Sequence, residues 1–543
     1  MKNKNYPLYE VDSVGNLKEL LNNVCSKYSD RAAFTFSQGN ELTSITYGQF
    51  MADVGALGTA LFDLGIRNTK VALIGENSYE WVLSYFATVN GGNTIVPLDK
   101  ELPLADLTKQ LIDCQASILI YSDGYQDVAD GLMDEQLNIK RKLNIKLELS
   151  AMIEEGKELV KTDSSFIEYR IDNNSLATII YTSGTTGVPK GVMLSHKNIA
   201  SDVVISCQNC FFFGISLLVL PLHHSFSFTG GVLIMMYYGC NIVINRSLKN
   251  VAEDFIKYKP NNTLLVPLFV ETFYKKVWSN AKKTGKDNLL KILIKISNVF
   301  LKFGIDLRAK LFKQVLSAFG GELDVVITGG APIDNTYIKG FRELGIKVLN
   351  GYGISECSPV VSVNRNDYYH DGSIGLVLPS LEVKILDPDE NGHGEICIKG
   401  DIVMLGYYQN ERATKETFDG DWFKTGDIGY LDQDRFLYIS GRKKNLIILN
   451  NGKNVYPEEL EFALLNYISY IKEAVIYSED NTIIAEVFLD TESDPNYANY
   501  LDSDIVELNR TLPPYKNIGR IKIRDTEFPK TTTKKIKRQV GGI

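Results

Sequence analysis

Short apolar runs that end in glycine turns constrain this chain most. Val71 to Ile74 meets Gly75, Leu176 to Tyr181 meets Thr182-Ser183-Gly184, Leu323 to Thr328 meets Gly329-Gly330, and Ile346 to Leu349 meets Asn350-Gly351. Runs of this length are too short for helices and read as buried strands. After the first, Asn77 and Ser78 offer turn and cap residues, Glu80 to Val89 reads as a helix, and Thr94 to Pro97 as the next strand. A strand–helix–strand unit predicts a parallel sheet. Ala116 to Tyr121 and Leu217 to Leu220 read as further strands. In a parallel sheet the strand ends meet at one edge, where ligands bind, so residues far apart in sequence can build one site.

At 543 residues the chain exceeds a single core. At about 150 residues per domain it predicts two to four units. The expected class is α/β, with residues 1–443 as a large layered domain that includes a β-rich subdomain from about Leu381. Residues 444–543 are expected to form a small, mobile α+β domain. Between them, Gly441-Arg442-Lys443-Lys444 marks the boundary. Glu135 to Glu158, rich in Lys, Glu and Leu, reads as solvated helix or loop. The net charge of −8 and sequence pI near 5.4 argue against a general nucleic-acid binder. The N-terminal residues lack an apolar signal region, and no uninterrupted apolar run reaches a membrane span. Seven cysteines in so long a chain are no disulfide framework, which points to the cytoplasm. Cys207 and Cys210 form one Cys-x-x-Cys pair without the second pair a structural zinc site needs, so they read as inert thiols.

The loop Thr182-Ser183-Gly184-Thr185-Thr186-Gly187-Val188-Pro189-Lys190-Gly191 has the parts of a polyphosphate grip. Glycines bring the backbone close to an anion, hydroxyls add donors, and Lys190 adds charge. It is not a Walker loop, because Val188 and Pro189 separate Gly187 from Lys190. Three other segments stand out. Gly351-Tyr352-Gly353-Ile354-Ser355-Glu356 follows a strand. Trp422-Phe423-Lys424-Thr425-Gly426-Asp427 precedes the boundary. Phe528-Pro529-Lys530-Thr531-Thr532-Thr533-Lys534-Lys535-Ile536-Lys537-Arg538 is a basic run. Taken singly, Glu356 and Asp427 would be solvated loop residues and the basic run a solvated tail.

Together, and in this order along nearly the whole chain, these segments resemble the adenylate-forming superfamily, most of all its bacterial medium- and long-chain acyl-CoA synthetases. The resemblance implies a ligase that forms acyl-AMP from ATP and a carboxylate, releases pyrophosphate, and passes the acyl group to coenzyme A. It implies a role for each segment. Thr182, Ser183, Gly184, Thr185, Thr186, Gly187 and Lys190 would hold the phosphates. Gly330, Ala331, Pro332, Gly351, Tyr352 and Gly353 would hold adenine and ribose, with Tyr352 packing on adenine; Ser355 would meet the α-phosphate, and Glu356 would hold Mg²⁺. Asp427 and Arg442 would reach the ribose. Lys444 would be the hinge, Gly452 would flank a pantetheine tunnel, and Lys535 would be the catalytic lysine that bridges carboxylate and α-phosphate. The chain departs from the family in having Ser355 where Thr is usual, and Lys534 where Gly is usual beside Lys535.

His224 and Phe226 follow a strand end and are expected to line or gate the acyl pocket. Asp287 to Gly304 is almost wholly apolar apart from Lys291, Lys295 and Lys302, which share one helical stripe. The plain expectation is a buried helix with one wet edge. The sharper one is a helix resting on the inner face of the membrane and helping to collect a greasy substrate. This segment, and its place before Gly329-Gly330-Ala331-Pro332, is also the reason to expect medium- to long-chain fatty acids. Two alternatives stay open. One is the same adenylation with a carrier-protein phosphopantetheine as acceptor, or with an aromatic acid. The other is a non-catalytic nucleotide- or lipid-binding homologue.

Overall fold

The computed structural model describes residues 4–39, 41–133, 135–182, 189–450, 453–479, 481–490, 496–530, 536 and 538. Contacts group the chain into two compact units. The first holds residues 1–382, 399–418 and 434–436, and the second holds residues 383–398, 419–433 and 437–543.

Two sheets dominate the first unit. One has seven strands, and its parallel body runs Leu176–Thr182, Thr94–Pro97, Lys70–Ile74, Ile118–Tyr121 and Arg141–Asn144. The helix Tyr79–Val89 makes the expected crossover between two of these strands, capped by Ser78, which accepts from the Trp81 N–H. All of its residues but Glu80 are buried. Fully burying each of its large apolar side chains stabilises the fold by about 1.5–3 kcal/mol, so the helix is a structural centre, not a surface element. The other sheet has nine strands. Its parallel core includes Ile215–Leu218, Asn262–Leu265, Val325–Thr328 and Lys347–Gly353. Beyond Lys347–Gly353 the sheet turns antiparallel, pairing Tyr352 with Ser362.

Two expectations are corrected. Residues 135–158 are not all solvated helix or loop. Arg141–Asn144 is a parallel edge strand against Ile118–Tyr121, and the helix Ser150–Leu159 buries Met152 and Gly156. At Gly156 an added Cβ would sit 2.0 Å from the Ala56 carbonyl oxygen, so the helix packs with backbone almost touching backbone. The strand escaped notice because an edge strand needs few apolar residues, and here only Leu143 and Asn144 are buried. The second correction concerns the helix Asp287–Lys302. It is not a buried helix with a wet edge. Only Leu290 and Ser297 are buried, and its apolar residues are largely on the surface.

The second unit has a five-stranded antiparallel sheet, which includes Gly394–Lys399, Trp422–Leu431 and Leu437–Arg442. It also has a three-stranded sheet of Ile471–Glu479, Thr482–Leu489 and Arg520–Arg524. Helices Pro457–Tyr467 and Tyr497–Thr511 share one core with this sheet through Leu460, Leu464, Ile476, Leu501 and Ile505. Residues 444–543, expected as the small α+β domain, fall entirely within this unit. All seven cysteines are buried, and burial pushes the Cys207 and Cys210 thiols up. They are the inert thiols that the spacing predicts. No helix among the described residues is long and apolar enough to cross a membrane.

Candidate active site

In the first unit, Leu176–Thr182 does not run from its loop into a helix. It returns as the antiparallel strand Lys190–Ser195, with Thr182 opposite Lys190. The two ends of the loop are thus held side by side, and the Thr182 hydroxyl donates to the Lys190 carbonyl at 3.5 Å. Ser183, Gly184, Thr185, Thr186 and Gly187 lie outside the described residues.

The short strand Gly406–Tyr407 adds to the free edge of Lys190–Ser195, placing Tyr407 opposite Val192. Tyr407 then faces two candidate residues at once. Its hydroxyl donates to Glu356 Oε1 at 2.9 Å, and the Lys190 ammonium lies over its ring, 4.8 Å from the centroid. Burial first, and the Glu356 carboxylate next, push the Tyr407 hydroxyl well up, so it stays protonated and donates. The Glu356 carbonyl accepts from the Met404 N–H at 2.8 Å. Two residues 166 positions apart by number, Lys190 and Glu356, therefore meet around one ring. Sequence reasoning missed Tyr407. The Gly406-Tyr407-Tyr408 stretch carries no chemical signature of its own; only strand pairing gives it a role.

The ends of the nine-stranded sheet collect beside this cluster. Ser355 exchanges a hydrogen bond with Ser225 at 3.2 Å. At Gly329 an added Cβ would lie 2.8 Å from the Gly351 carbonyl oxygen, and at Gly353 it would lie 2.2 Å from that of Pro359. These strand ends leave no room for side chains, which is why glycine stands there. Gly330, Ala331 and Pro332 are exposed, and Tyr352 is buried between its strand neighbours. A small, mainly apolar cavity of about 10 Å³, room for little more than one water, lies nearby, lined by Tyr85, Ile180, Leu194, Phe228 and both His223 and His224. Phe226 is not among its lining residues and stands near Gly329 instead. His223, the neighbour of the expected His224, sits 3.3 Å from Asp99. Burial first, and His224 next, hold it down at about 3 despite Asp99, so its imidazole is neutral.

In the second unit, Asp427 and Arg442 are cross-strand partners. Arg442 Nε bonds Asp427 Oδ1 at 2.9 Å, and the carboxylate is 4% exposed against 43% for the arginine. Thr425 holds the turn, accepting from the Asp427 N–H at 3.0 Å and donating to the Ile396 carbonyl at 2.8 Å. Lys443 pairs with Glu395 at 2.6 Å. Lys444 is held below the usual lysine range, by burial first and then by Arg442 and Arg538. Lys530 is bound to Glu473, and to Glu527 at 2.7 Å, which leaves it ill placed for chemistry. Lys535 and Gly452 lie outside the described residues.

Residues 21–408 match the family model described as AMP-binding enzyme. The chain belongs to that family. Curated relatives of this AMP-binding enzyme include the long-chain-fatty-acid–CoA ligase FadD15 of Mycobacterium bovis, 26% identical, with 92% of this chain and 90% of the relative covered. The long-chain-fatty-acid–CoA ligase of Salmonella typhimurium is 28% identical, with 97% and 94% covered. Among solved structures, the Mycobacterium tuberculosis fatty acyl CoA synthetase superposes with a TM-score of 0.68 at 21% identity, covering 96% of this chain and 97% of that one. The O-succinylbenzoate CoA synthetase of Bacillus subtilis, in complex with ATP and magnesium, gives 0.74 at 23%, covering 95% and 98%. These structures share the α/β fold of this AMP-binding enzyme.

The donors present suit Mg²⁺ only in company with a nucleotide. Among the described residues, no group of three His, Cys, Asp or Glu could hold a metal alone. Glu356 supplies one carboxylate, with one oxygen engaged by Tyr407. Mg²⁺ takes one or two carboxylates together with substrate phosphates and waters, and this arrangement fits that habit.

Tyr407→Phe is expected to raise the KM for Mg-ATP about tenfold while changing kcat less. It removes the hydrogen bond to Glu356 but keeps the ring beneath Lys190. Hydrogen bonds to charged groups contribute about 1.5–3 kcal/mol, and about 1.4 kcal/mol is tenfold. Steady-state pyrophosphate release at varied Mg-ATP measures it.

Proposed function

We propose that this AMP-binding enzyme joins a medium- to long-chain fatty acid to coenzyme A in two steps. The carboxylate oxygen attacks the α-phosphorus of ATP, giving acyl-AMP and releasing pyrophosphate. The coenzyme A thiolate then attacks the acyl carbonyl carbon, giving acyl-CoA and releasing AMP. The observation that carries this reading is the Lys190–Tyr407–Glu356 cluster at the base of a glycine- and hydroxyl-rich loop, near an apolar cavity. No covalent enzyme nucleophile is required. The residues position two anions and bring positive potential to where charge develops.

Under this reading Lys190, Thr182 and the loop between them hold the β- and γ-phosphates. Glu356 holds Mg²⁺, which neutralises phosphate charge when bound. Ser355 meets the α-phosphate, and Asp427 accepts from both ribose hydroxyls, as a carboxylate can. Lys535 bridges carboxylate and α-phosphate, and Lys444 is the pivot that exchanges it for the Gly452 loop. The cavity lined by His223 and His224, which holds little more than one water as it stands, would have to widen to take the acyl chain. The names of the relatives support a fatty acid as substrate.

Pyrophosphate release screened across carboxylic acids, with and without coenzyme A, tests the proposal. AMP formation that needs both a fatty acid and coenzyme A supports it. Acyl-adenylate that accumulates regardless of coenzyme A favours a carrier-protein acceptor. No release with any acid favours the non-catalytic homologue.

A further inference from the structure

The helix Asp287–Lys302 displays one continuous apolar strip to solvent. Leu289, Ile292, Ile296, Val299, Phe300 and Phe303 are all exposed, Ile292 to 54% and Phe303 to 78%. Their spacing places them within about 100° of arc on a 3.6-residue helix. Leu290 and Ser297, which are buried, lie on the flank away from the lysines, where Leu293 and Ile294 pack against Phe312 and Leu344. Lys291, Lys295 and Lys302 form a second strip along one flank of the apolar one. So large an apolar strip on a surface marks an interaction site.

Charge identifies what covers it. Residues 275–313 hold eleven lysines and arginines against only Asp287 and Asp306, a net +9 in a chain whose total is −8. Ten of the eleven are exposed lysines, Lys282, Lys283 and Lys286 among them at the turn before the helix. A second copy of this chain is a poor occupant, because pairing the strips would press two such patches together. An anionic surface is a good one. Apolar residues between exposed lysines are the form of a helix that lies in a lipid interface, apolar face down and ammonium groups among the headgroups.

We infer that the Asp287–Lys302 helix docks the chain onto an anionic membrane surface, with the Ile292–Phe303 strip in the acyl boundary and the surrounding lysines on lipid phosphates. The test is flotation of the full chain with vesicles of phosphatidylcholine alone or mixed with phosphatidylglycerol. Binding is expected with the mixed vesicles, little with phosphatidylcholine alone, and less as salt rises. Each lysine near the surface is worth about fivefold in binding, so Lys291→Gln/Lys295→Gln should weaken it roughly twenty-five- to thirtyfold. Ile292→Asp/Phe303→Asp should abolish flotation without moving the thermal unfolding midpoint, since both side chains are exposed. Equal flotation of that variant and the parent would overturn the inference. So would equal binding to both vesicle types, or a concentration-dependent dimer that the same variant dissociates while neither protein floats. Flotation reads docking alone, so this inference and the reaction proposed above stand or fall separately.

Discussion

Glu356→Gln is expected to slow fatty-acid-dependent pyrophosphate release roughly a hundred- to a thousandfold, the usual cost of losing one element of a charge-stabilising cluster. The substitution is nearly isosteric. Its amide oxygen still accepts the Tyr407 hydroxyl bond, and the Glu356 carbonyl still accepts from Met404. The turn that carries Ser355 should therefore keep its shape, and the unfolding midpoint should stay near that of the parent. What is lost is one negative charge at the place proposed for Mg²⁺. The rate should recover partly at high Mg²⁺, and the Mg²⁺ concentration giving half-maximal rate should rise. Tyr407→Phe, which keeps that charge, should shift it far less. An unchanged rate in Glu356→Gln would remove Glu356 from the mechanism, and with it the carboxylate that the proposal assigns to the metal.

Lys535→Ala is expected to split the two half-reactions. Adenylation should fall by roughly the same hundred- to thousandfold, while conversion of supplied acyl-adenylate to acyl-CoA stays near the parent rate. Lys535 is the choice over Lys530 for two reasons. The resemblance places the catalytic lysine directly before Ile536, and the structure commits Lys530 to Glu473 and Glu527. Of the residues that follow Lys535, Ile536 and Arg538 are described, and both are anchored. Ile536 packs against Val475, Tyr477, Ile484 and Phe528, and Arg538 pairs with Glu461 and, at 3.4 Å, with Glu458. Removing one lysine side chain should thus leave the small domain folded. Measuring each half-reaction by itself, with acyl-adenylate supplied for the second, decides the matter. Equal loss of both would count against a lid that exchanges one chemistry for another.

The buried parallel strands were legible because burial on both faces leaves an apolar run with no alternation, and glycines mark where each strand stops. Gly329 and Gly353 show why those glycines are needed, since backbone oxygens occupy the place of any side chain. The polar edge strand Arg141–Asn144 was not legible, because it draws its stability from hydrogen bonds to Ile118–Tyr121 that periodicity does not report. The exposure of the Asp287–Lys302 helix was hidden for a different reason. A strip of apolar residues looks alike in sequence whether it faces a core or open solvent. Among the candidate residues, Glu356, Asp427 and Arg442 were singled out by their motifs, but the partners that hold each of them were not. Tyr407 joins Lys190 to Glu356 only through strand pairing at Val192, and such pairing leaves no mark in the local sequence.

The bond between Asp427 and Arg442 carries one more implication. Both ribose hydroxyls are proposed to bind a carboxylate that Arg442 already holds, so an arriving nucleotide must renegotiate that partnership. Arg442 is two residues from Lys444, the proposed pivot. With the proposed roles, ribose binding would act on a side chain two residues from the point about which the lid would swing. If both roles hold, the pair would work as an interlock, informing the hinge of the cargo before it moves.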